Sequence, residues 1–223
     1  PKGNKKEKLT KNVLFSGFKE LRKIWRKLKE DKPMRTYLSA FFVYSMAVQT
    51  IMLIATYFGI EELDWGTTDS TTGLIVSILL IQLVAVLGAW LTSKASAKFG
   101  NIQTLIVINC IWIAICIYAY TITTPFQFYF TAAFVGLVMG GIQSLSRSTY
   151  SKLIPEGEKD TASYFSFYDV SEKIGIVIGM STYGFIADKY NIRNAILFFI
   201  VFFIVGVILL FFVPRKRIVE QAE

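Results

Sequence analysis

Six stretches of this sequence each approach the ~20 apolar residues needed to cross a bilayer, and only short loops separate them. They lie at about 36–60, 72–93, 102–122, 126–147, 163–187 and 194–213. The bilayer core offers no water to backbone N–H and C=O groups, so a chain with this pattern must satisfy them within each segment, as helices. The fold class expected is therefore an all-α membrane protein with six transmembrane helices. The chain is 53% hydrophobic and only 18% charged, too apolar for an ordinary soluble domain.

The charges are clustered, and the clusters divide the chain. Residues 1–35 form a basic segment, 36–213 the six-helix bundle and 214–223 a polar tail. Within the first segment, Leu14, Phe18, Leu21, Trp25 and Leu28 recur at steps of four and three, the spacing of one helical face. Lys19, Arg22, Lys23, Arg26, Lys27 and Lys29 cover the rest, so residues 11–32 read as an amphipathic helix at the membrane surface, beside anionic lipid. Packing on a soluble partner is the other reading of such a helix. Asp31-Lys-Pro33 ends it. Lys and Arg concentrate in the N-terminal segment, the loops at 94–101 and 148–162, and the tail. The opposite side carries Glu61, Glu62, Asp64 and Asp69, with Lys189 and Arg193 as its cations. The positive-inside rule then puts both termini in the cytoplasm, in a bacterial inner membrane. The basic start lacks the short apolar core and cleavage site of a signal peptide. A first residue of Pro1 in place of Met points to a processed chain or to a piece of a longer one.

The first three spans recur in the last three. Ser96-Ala-Lys-Phe-Gly-Asn101 follows the second span, and Ala187-Asp-Lys-Tyr-Asn-Ile192 follows the fifth. Lys98 matches Lys189, Phe99 matches Tyr190, and Gly100 matches Asn191. Glycine and asparagine are the residues that most readily end a helix in the left-handed conformation. Each unit has an odd number of spans, so the second must be inverted. A 3+3 inverted repeat is the architecture of a major facilitator half-bundle.

Polar residues inside the spans are the functional candidates. In the fourth span Gly136, Gly140, Gln143 and Arg147 share one stripe, with Ser144 beside them. The two glycines there allow close helix approach. In the first span, its repeat counterpart, Ser45, Gln49 and Thr56 share a stripe. Ser45, Gln49, Gln143, Ser144 and Arg147 are accordingly candidates for the wall of a solute path. Hydrogen bonding between helices is the alternative for the glutamines, and a snorkelling anchor is the alternative for Arg147.

The fifth span has only fourteen apolar residues from Ile174 to Ala187, so it must reach back to about Tyr168 to cross. Asp169, Glu172 and Lys173 then fall inside it. Asp169 and Lys173, four apart with the acid first, are spaced as an ion pair. Glu172 shares its face with Gly175 and Gly179 and so meets a neighbouring helix. Desolvation disfavours a carboxylate, so an acid held there can carry a proton or serve as a structural ion-pair member. The third and sixth spans are almost wholly apolar and read as a lipid-facing layer. Cys110 and Cys116 read as buried free thiols.

No histidine is present, and no nucleophile–base pair or metal-ligand spacing appears. The expectation is a protein that is not an enzyme, with no metal and no cofactor. A basic surface without nucleic-acid motifs gives no reason to expect nucleic acid as a partner. The expected partners are the lipid bilayer and a small-molecule solute.

Gly140-Gly-Ile-Gln-Ser-Leu-Ser-Arg-Ser148, Leu153-Ile-Pro-Glu156 and Tyr164-Phe-Ser-Phe-Tyr168 together resemble the autophagy-related vacuolar effluxer family of major facilitator permeases. The resemblance covers the fourth and fifth spans well and the others by topology. It implies a secondary active transporter working by alternating access, of which this chain is the C-terminal six-helix half and residues 1–35 the linker between halves. It also implies an N-terminal six-helix half as partner, and amino-acid efflux as the activity of the fungal members. One departure stands out. Major facilitators often place an acid and an arginine in the loop after the second helix of a half, whereas Ser93-Lys-Ala-Ser-Ala-Lys-Phe-Gly100 has Ala97 where the acid would be. The rival readings are a non-transporting membrane scaffold and a six-helix protein that dimerises with a second copy to form the path.

The charge asymmetry makes a direct topological prediction. In a background without Cys110 and Cys116, cysteines at Thr67 and Lys159 should react with an impermeant thiol reagent from opposite sides of the membrane. Labelling of both from outside would overturn the orientation.

Overall fold

The computed structural model describes residues 11–66, 69–155, 157–158 and 160–214, with the side chains of 11–18 outside that description. The labelling positions Thr67 and Lys159, the Glu156 of the quoted motif, residues 1–10, the Leu14 and Phe18 side chains and the tail 215–223 lie outside the described residues. All regular structure among the described residues is helical. The elements are α1 (Lys11–Glu30), α2 (Lys32–Glu61), α3 (Ser70–Phe99), α4 (Asn101–Thr121), α5 (Pro125–Leu153), α6 (Thr161–Lys189), α7 (Ile192–Phe198) and α8 (Ile200–Phe211).

Local chemistry sets most of these ends. Asp31 caps α2, its carboxylate accepting from the Met34 N–H at 3.2 Å, and Pro33 fills the first turn, where no N–H is needed. Asp69 caps α3 through the Thr72 N–H at 2.9 Å. Thr124, Pro125 and Gln127 form a capping box at the start of α5. Gly100, with φ of 88°, makes the turn between α3 and α4 without a separate loop. The expected loop at 94–101 is therefore mostly the last turns of α3, and α5 likewise continues past 147 to Leu153. Apolarity marks where a helix sits in the bilayer, not where its hydrogen bonds stop.

Five stretches among the described residues are long and apolar enough to cross a membrane: Lys32–Glu61, Ser70–Phe99, Asn101–Thr121, Pro125–Leu153 and Ile192–Phe211. The last changes its hydrogen-bond pattern at Phe199, where α7 meets α8 through a tighter turn with the Phe199 N–H on the Ile196 carbonyl at 3.1 Å. No proline or glycine announces that turn. The expected fifth span is α6, whose 29 residues give about 43 Å at 1.5 Å per residue. Its polar first half keeps it apart from the other five in composition.

Helices α3 and α5 pack along each other, as do α6 and α2, while α4 and α8 pack on α5, on α2 and on one another. Glycines set the first two seams. A methyl group at Gly88 would overlap the Leu137 backbone, and one at Gly141 would overlap the Thr92 side chain. Gly136 and Gly140 rest on the carbonyl oxygens of Ile81 and Ala85. In the other seam Gly179 sits on Thr50 and Met46, and Gly175 on Met46 and Phe42. Trp112 of α4 and Phe203 of α8 stack in the centre, centroids 5.7 Å apart and rings 9° from parallel.

One sequence expectation changes here, on the cysteines. Helix α3 is the least covered span, 17% buried, and α4 at 44% and the α7–α8 stretch at 33% also expose apolar faces, Val107, Ile117, Val201 and Ile208 among them, while Trp112 and Phe203 turn inward. Cys116 is buried, but Cys110 is exposed, and both are free.

Helix α1 docks on the bundle through Ile24 and Leu28, both buried. Trp25, on the apolar stripe expected at the membrane surface, is 50% exposed and stacks on Phe167 at 5.9 Å. Lys27 donates to Glu158 at 2.6 Å, tying α1 to the turn before α6. This bond holds the Glu158 carboxyl below its ordinary 4.5 and the Lys27 ammonium above its ordinary 10.5. The Glu158 contribution is complete above 4.5 and is lost as pH falls through the lowered value. The Lys27 contribution is complete below 10.5 and is lost as pH rises through the raised one. At the opposite end Arg193 donates to the Glu62 carboxylate at 2.6 Å, the Tyr120 carbonyl at 2.6 Å and the Glu62 carbonyl at 3.2 Å, joining α2, α4 and α7.

Gly88→Ala should lower the Tm in detergent, since forced overpacking costs about 1–3 kcal/mol. Gly184→Ala, where the new methyl meets nothing within 4 Å, should leave the Tm unchanged. An unaltered Tm for Gly88→Ala would mean that the α3–α5 seam is looser than described.

Candidate functional site

The polar candidates of the sequence converge on one open cleft of about 460 Å³ between α2, α5 and α6. Helix α2 contributes Ser45 and Gln49, α5 contributes Gln143, Ser144 and Arg147, and α6 contributes Glu172 and Lys173. They come together because α2 and α5 cross in the middle of the bundle while α6 leans on α2 through Gly175 and Gly179. Thr56, on the Ser45 stripe, lies beyond the cleft and is exposed.

The acids and bases are paired across helices. Gln49 Nε2 donates to Glu172 Oε1 at 2.8 Å, so the carboxylate on α6 meets an amide on α2. Lys173 Nζ is 3.6 Å from the other Glu172 oxygen. Arg147 Nη1 is 3.2 Å from Asp169 Oδ1, bridging α5 and α6. The guanidinium also lies over the rings of Phe165 at 5.2 Å and Tyr168 at 5.9 Å. The expected Asp169–Lys173 pair is thus replaced by Asp169–Arg147 and Lys173–Glu172. Spacing along one helix favoured the first pairing, but a guanidinium from the neighbouring helix reaches Asp169 and leaves the exposed Lys173 to Glu172.

The stripe of α5 is also divided differently from expectation. Gly136 and Gly140 serve the seam with α3, while Gln143 and Arg147, one to two turns on, face the cleft. On α6 the expectation holds, since Glu172 and both glycines face α2.

Sequence reasoning passed over the aromatic floor. Phe41 and Tyr168 stack with centroids 4.0 Å apart. The Tyr44 hydroxyl shares a 2.7 Å hydrogen bond with the Ser146 hydroxyl, and the Tyr37 hydroxyl donates to the Ser146 carbonyl at 2.7 Å. Tyr150 donates to the Tyr164 carbonyl at 2.9 Å. These bonds fix α2 to α5 and α5 to α6 beneath the charged groups, so the cleft has a stiff apolar base and a polar wall. The one available signal was the pair Tyr37 and Tyr44, seven apart on α2, with Tyr164 and Tyr168 four apart on α6. No group of His, Cys, Asp and Glu among the described residues is arranged to hold a metal ion.

Long apolar helices around an open polar cleft are the build of a membrane transporter of the major facilitator type. A fucose:proton symporter from E. coli shares this fold, with a TM-score of 0.63 over 86% of this chain and 45% of that one, at 22% sequence identity. The chain belongs to the family described as vacuole effluxer Atg22 like, which matches it over residues 1–223. The MFS-type transporter YxiO of Bacillus subtilis is 28% identical over 95% of this chain and 48% of its own length. Autophagy-related protein 22 of Eremothecium gossypii is 30% identical over 79% of the chain and 36% of its own length. Its Saccharomyces cerevisiae namesake is 28% identical over 96% of the chain and 42% of its own. The chain thus spans less than half the length of these relatives, which are transporters and not enzymes.

Cysteine labelling tests the cleft. In a Cys110→Ser, Cys116→Ala background, Gln49→Cys and Ser144→Cys should react rapidly with a water-soluble thiol reagent, and Thr50→Cys, fully buried against α6, should react much more slowly. Equal protection at all of these positions would mean that the cleft is closed to water.

Proposed function

We propose that this chain is the C-terminal six-helix half of a secondary active transporter, and that its cleft is half of a solute path. The observation that carries the reading is the meeting of Glu172 with Gln49 in an open cleft that also holds Arg147 and Lys173. A small polar solute bearing charges of both signs, such as an amino acid, complements that wall. Its carboxylate would exchange for Asp169 on Arg147, and its ammonium would exchange for Lys173 on Glu172. The name effluxer, carried by the family, agrees with amino-acid export but does not by itself fix the solute.

The 3+3 inverted repeat is supported by contacts that the sequence repeat relates. The same separation carries Gly88 to Gly179, Lys98 to Lys189, Gly100 to Asn191 and Trp112 to Phe203. Its reverse carries Leu137 to Met46. Gly88 rests on Leu137 and Gly179 on Met46, so one helix contact has its counterpart in the other unit. Trp112 and Phe203 are themselves counterparts, and they stack on each other, as residues beside a pseudo-two-fold axis would. Both Gly100 and Asn191 stand at helix starts. The six-span count takes α6 as a full crossing, on the strength of its length.

The partner half is supported by the relatives' greater length and by the bare apolar faces of α3 and α6. Rocking of the two halves would expose the cleft to each side in turn. Both termini would be cytoplasmic, with α1 as the connection at the membrane surface. Glu172 would take up and release the coupling proton, its bond from Gln49 present only in one arrangement of α2 and α6.

Glu172→Gln keeps shape and hydrogen bonding but cannot titrate. In proteoliposomes of the whole protein it should abolish accumulation against a gradient while solute exchange survives. Arg147→Ala should weaken apparent affinity for a carboxylate-bearing solute roughly tenfold or more, since hydrogen bonds to charged groups contribute about 1.5–3 kcal/mol. Undiminished gradient-driven uptake by Glu172→Gln would make that residue a structural acid. Undiminished affinity in Arg147→Ala would make Arg147 an anchor.

A further inference from the structure

On the other side of the α2–α6 seam from the cleft lies a second hollow. It is a groove of about 590 Å³ between α1, α2 and α6. Its two ends differ in chemistry. At the end where α1 turns into α2, Lys29 and Arg35 stand exposed on the rim with Ser39. Arg35 donates to the Lys29 backbone carbonyl at 3.0 Å, and the Lys29 ammonium lies 5.6 Å from the centroid of the Trp25 ring, so both cations stand at this end of the groove. Deeper, the walls are apolar: Leu38, Phe42 and Val43 from α2, Phe167 and Ile174 from α6. The Ser171 hydroxyl in that wall is bonded back to the Phe167 carbonyl at 2.8 Å, so it leaves the surface effectively apolar. From Arg35 to Val43 the helix descends about 12 Å.

We propose that this groove binds one anionic phospholipid, its phosphate held by Lys29 and Arg35 and an acyl chain lying along Phe42, Val43 and Ile174. The order of chemistry along the groove is that of the molecule, with cations at the headgroup level and an apolar channel below. The groove lining holds Lys29 and Arg35 and no carboxylate, so its polar end carries a net positive charge. Charge complementarity therefore selects an anionic lipid over a zwitterionic one. This is a discrete site, unlike the diffuse attraction that Lys19 and Lys23 on the outer face of α1 exert on any anionic surface. Its consequence for the bundle is local. The bound chain would press α6 onto α2 from the face opposite Tyr168 and Glu172, so occupancy would favour the arrangement in which Gln49 reaches Glu172.

Trp25 lines the groove and reports on it. The whole protein would be reconstituted in phosphatidylcholine vesicles containing a small fraction of either brominated phosphatidylglycerol or brominated phosphatidylcholine. The Trp25 signal is taken as the difference between the wild type and W25F, which removes the background of Trp65, Trp90 and Trp112. Brominated phosphatidylglycerol should quench it several-fold more strongly at equal mole fraction. The double variant K29Q/R35Q should bring the two lipids to equality, and K19Q/K23Q should leave the excess in place. S39F, which fills the groove without changing its charge, should also remove the excess and serves if K29Q/R35Q fails to fold. Equal quenching by the two lipids in the wild type would overturn the site, as it would if protein from another part of the assembly covered the groove. Loss of the excess in K19Q/K23Q would reduce it to diffuse surface attraction, and persistence in S39F would place the lipid elsewhere.

Discussion

The structure depends on how closely its helices can approach. In a bilayer there is no hydrophobic gain in moving an apolar face from lipid to protein, so helices associate through van der Waals contact and interhelical hydrogen bonds. Gly88, Gly136 and Gly140 bring the backbones of α3 and α5 into direct contact, and Gly179 lets α6 close on Thr50 and Met46 of α2. Everything polar is arranged around those two seams. Had α6 stood one side chain further from α2, Gln49 could not donate to Glu172 at 2.8 Å.

Close approach also explains why the charged groups are tolerable. Arg147 of α5 pairs with Asp169 of α6 across the gap, and Lys173 pairs with its neighbour Glu172 along α6. Tyr37, Tyr44 and Tyr150 consume their hydroxyls on backbone and serine partners below them. The cleft is therefore a polar opening on a rigid aromatic base. Its ion pairs are partly exposed. At the far end Arg193 bonds to α2 and α4 at once, and at the near end Lys27 holds α1, so the bundle is tied at both ends while the cleft between remains open.

Much of this was legible in advance, for reasons that differ from residue to residue. Gln49 and Gln143 could be found because a polar side chain in an apolar span is costly unless it has a task. Glu172 could be found because the fifth span was too short without it. Gly175 and Gly179 could be read as a contact face because helical periodicity puts them on the Glu172 side. The errors share a cause as well. The Asp169–Lys173 pair and the undivided Gly136–Arg147 stripe were both inferred along a single helix, and both were changed by a neighbour arriving from elsewhere in the chain.

The sequence alone therefore determined the helices, their caps and the polar residues set within apolar stretches, because these follow from hydropathy, capping chemistry and periodicity within a short window. Tertiary structure decided which of those residues meet. Arg147 takes the place at Asp169 for which Lys173 was spaced, Tyr44 finds Ser146, Trp112 finds Phe203, and Lys29 with Arg35 comes to head an apolar groove. Those choices rest on crossing angles and depths that glycine contacts fix between helices far apart in sequence, and no local pattern encodes them.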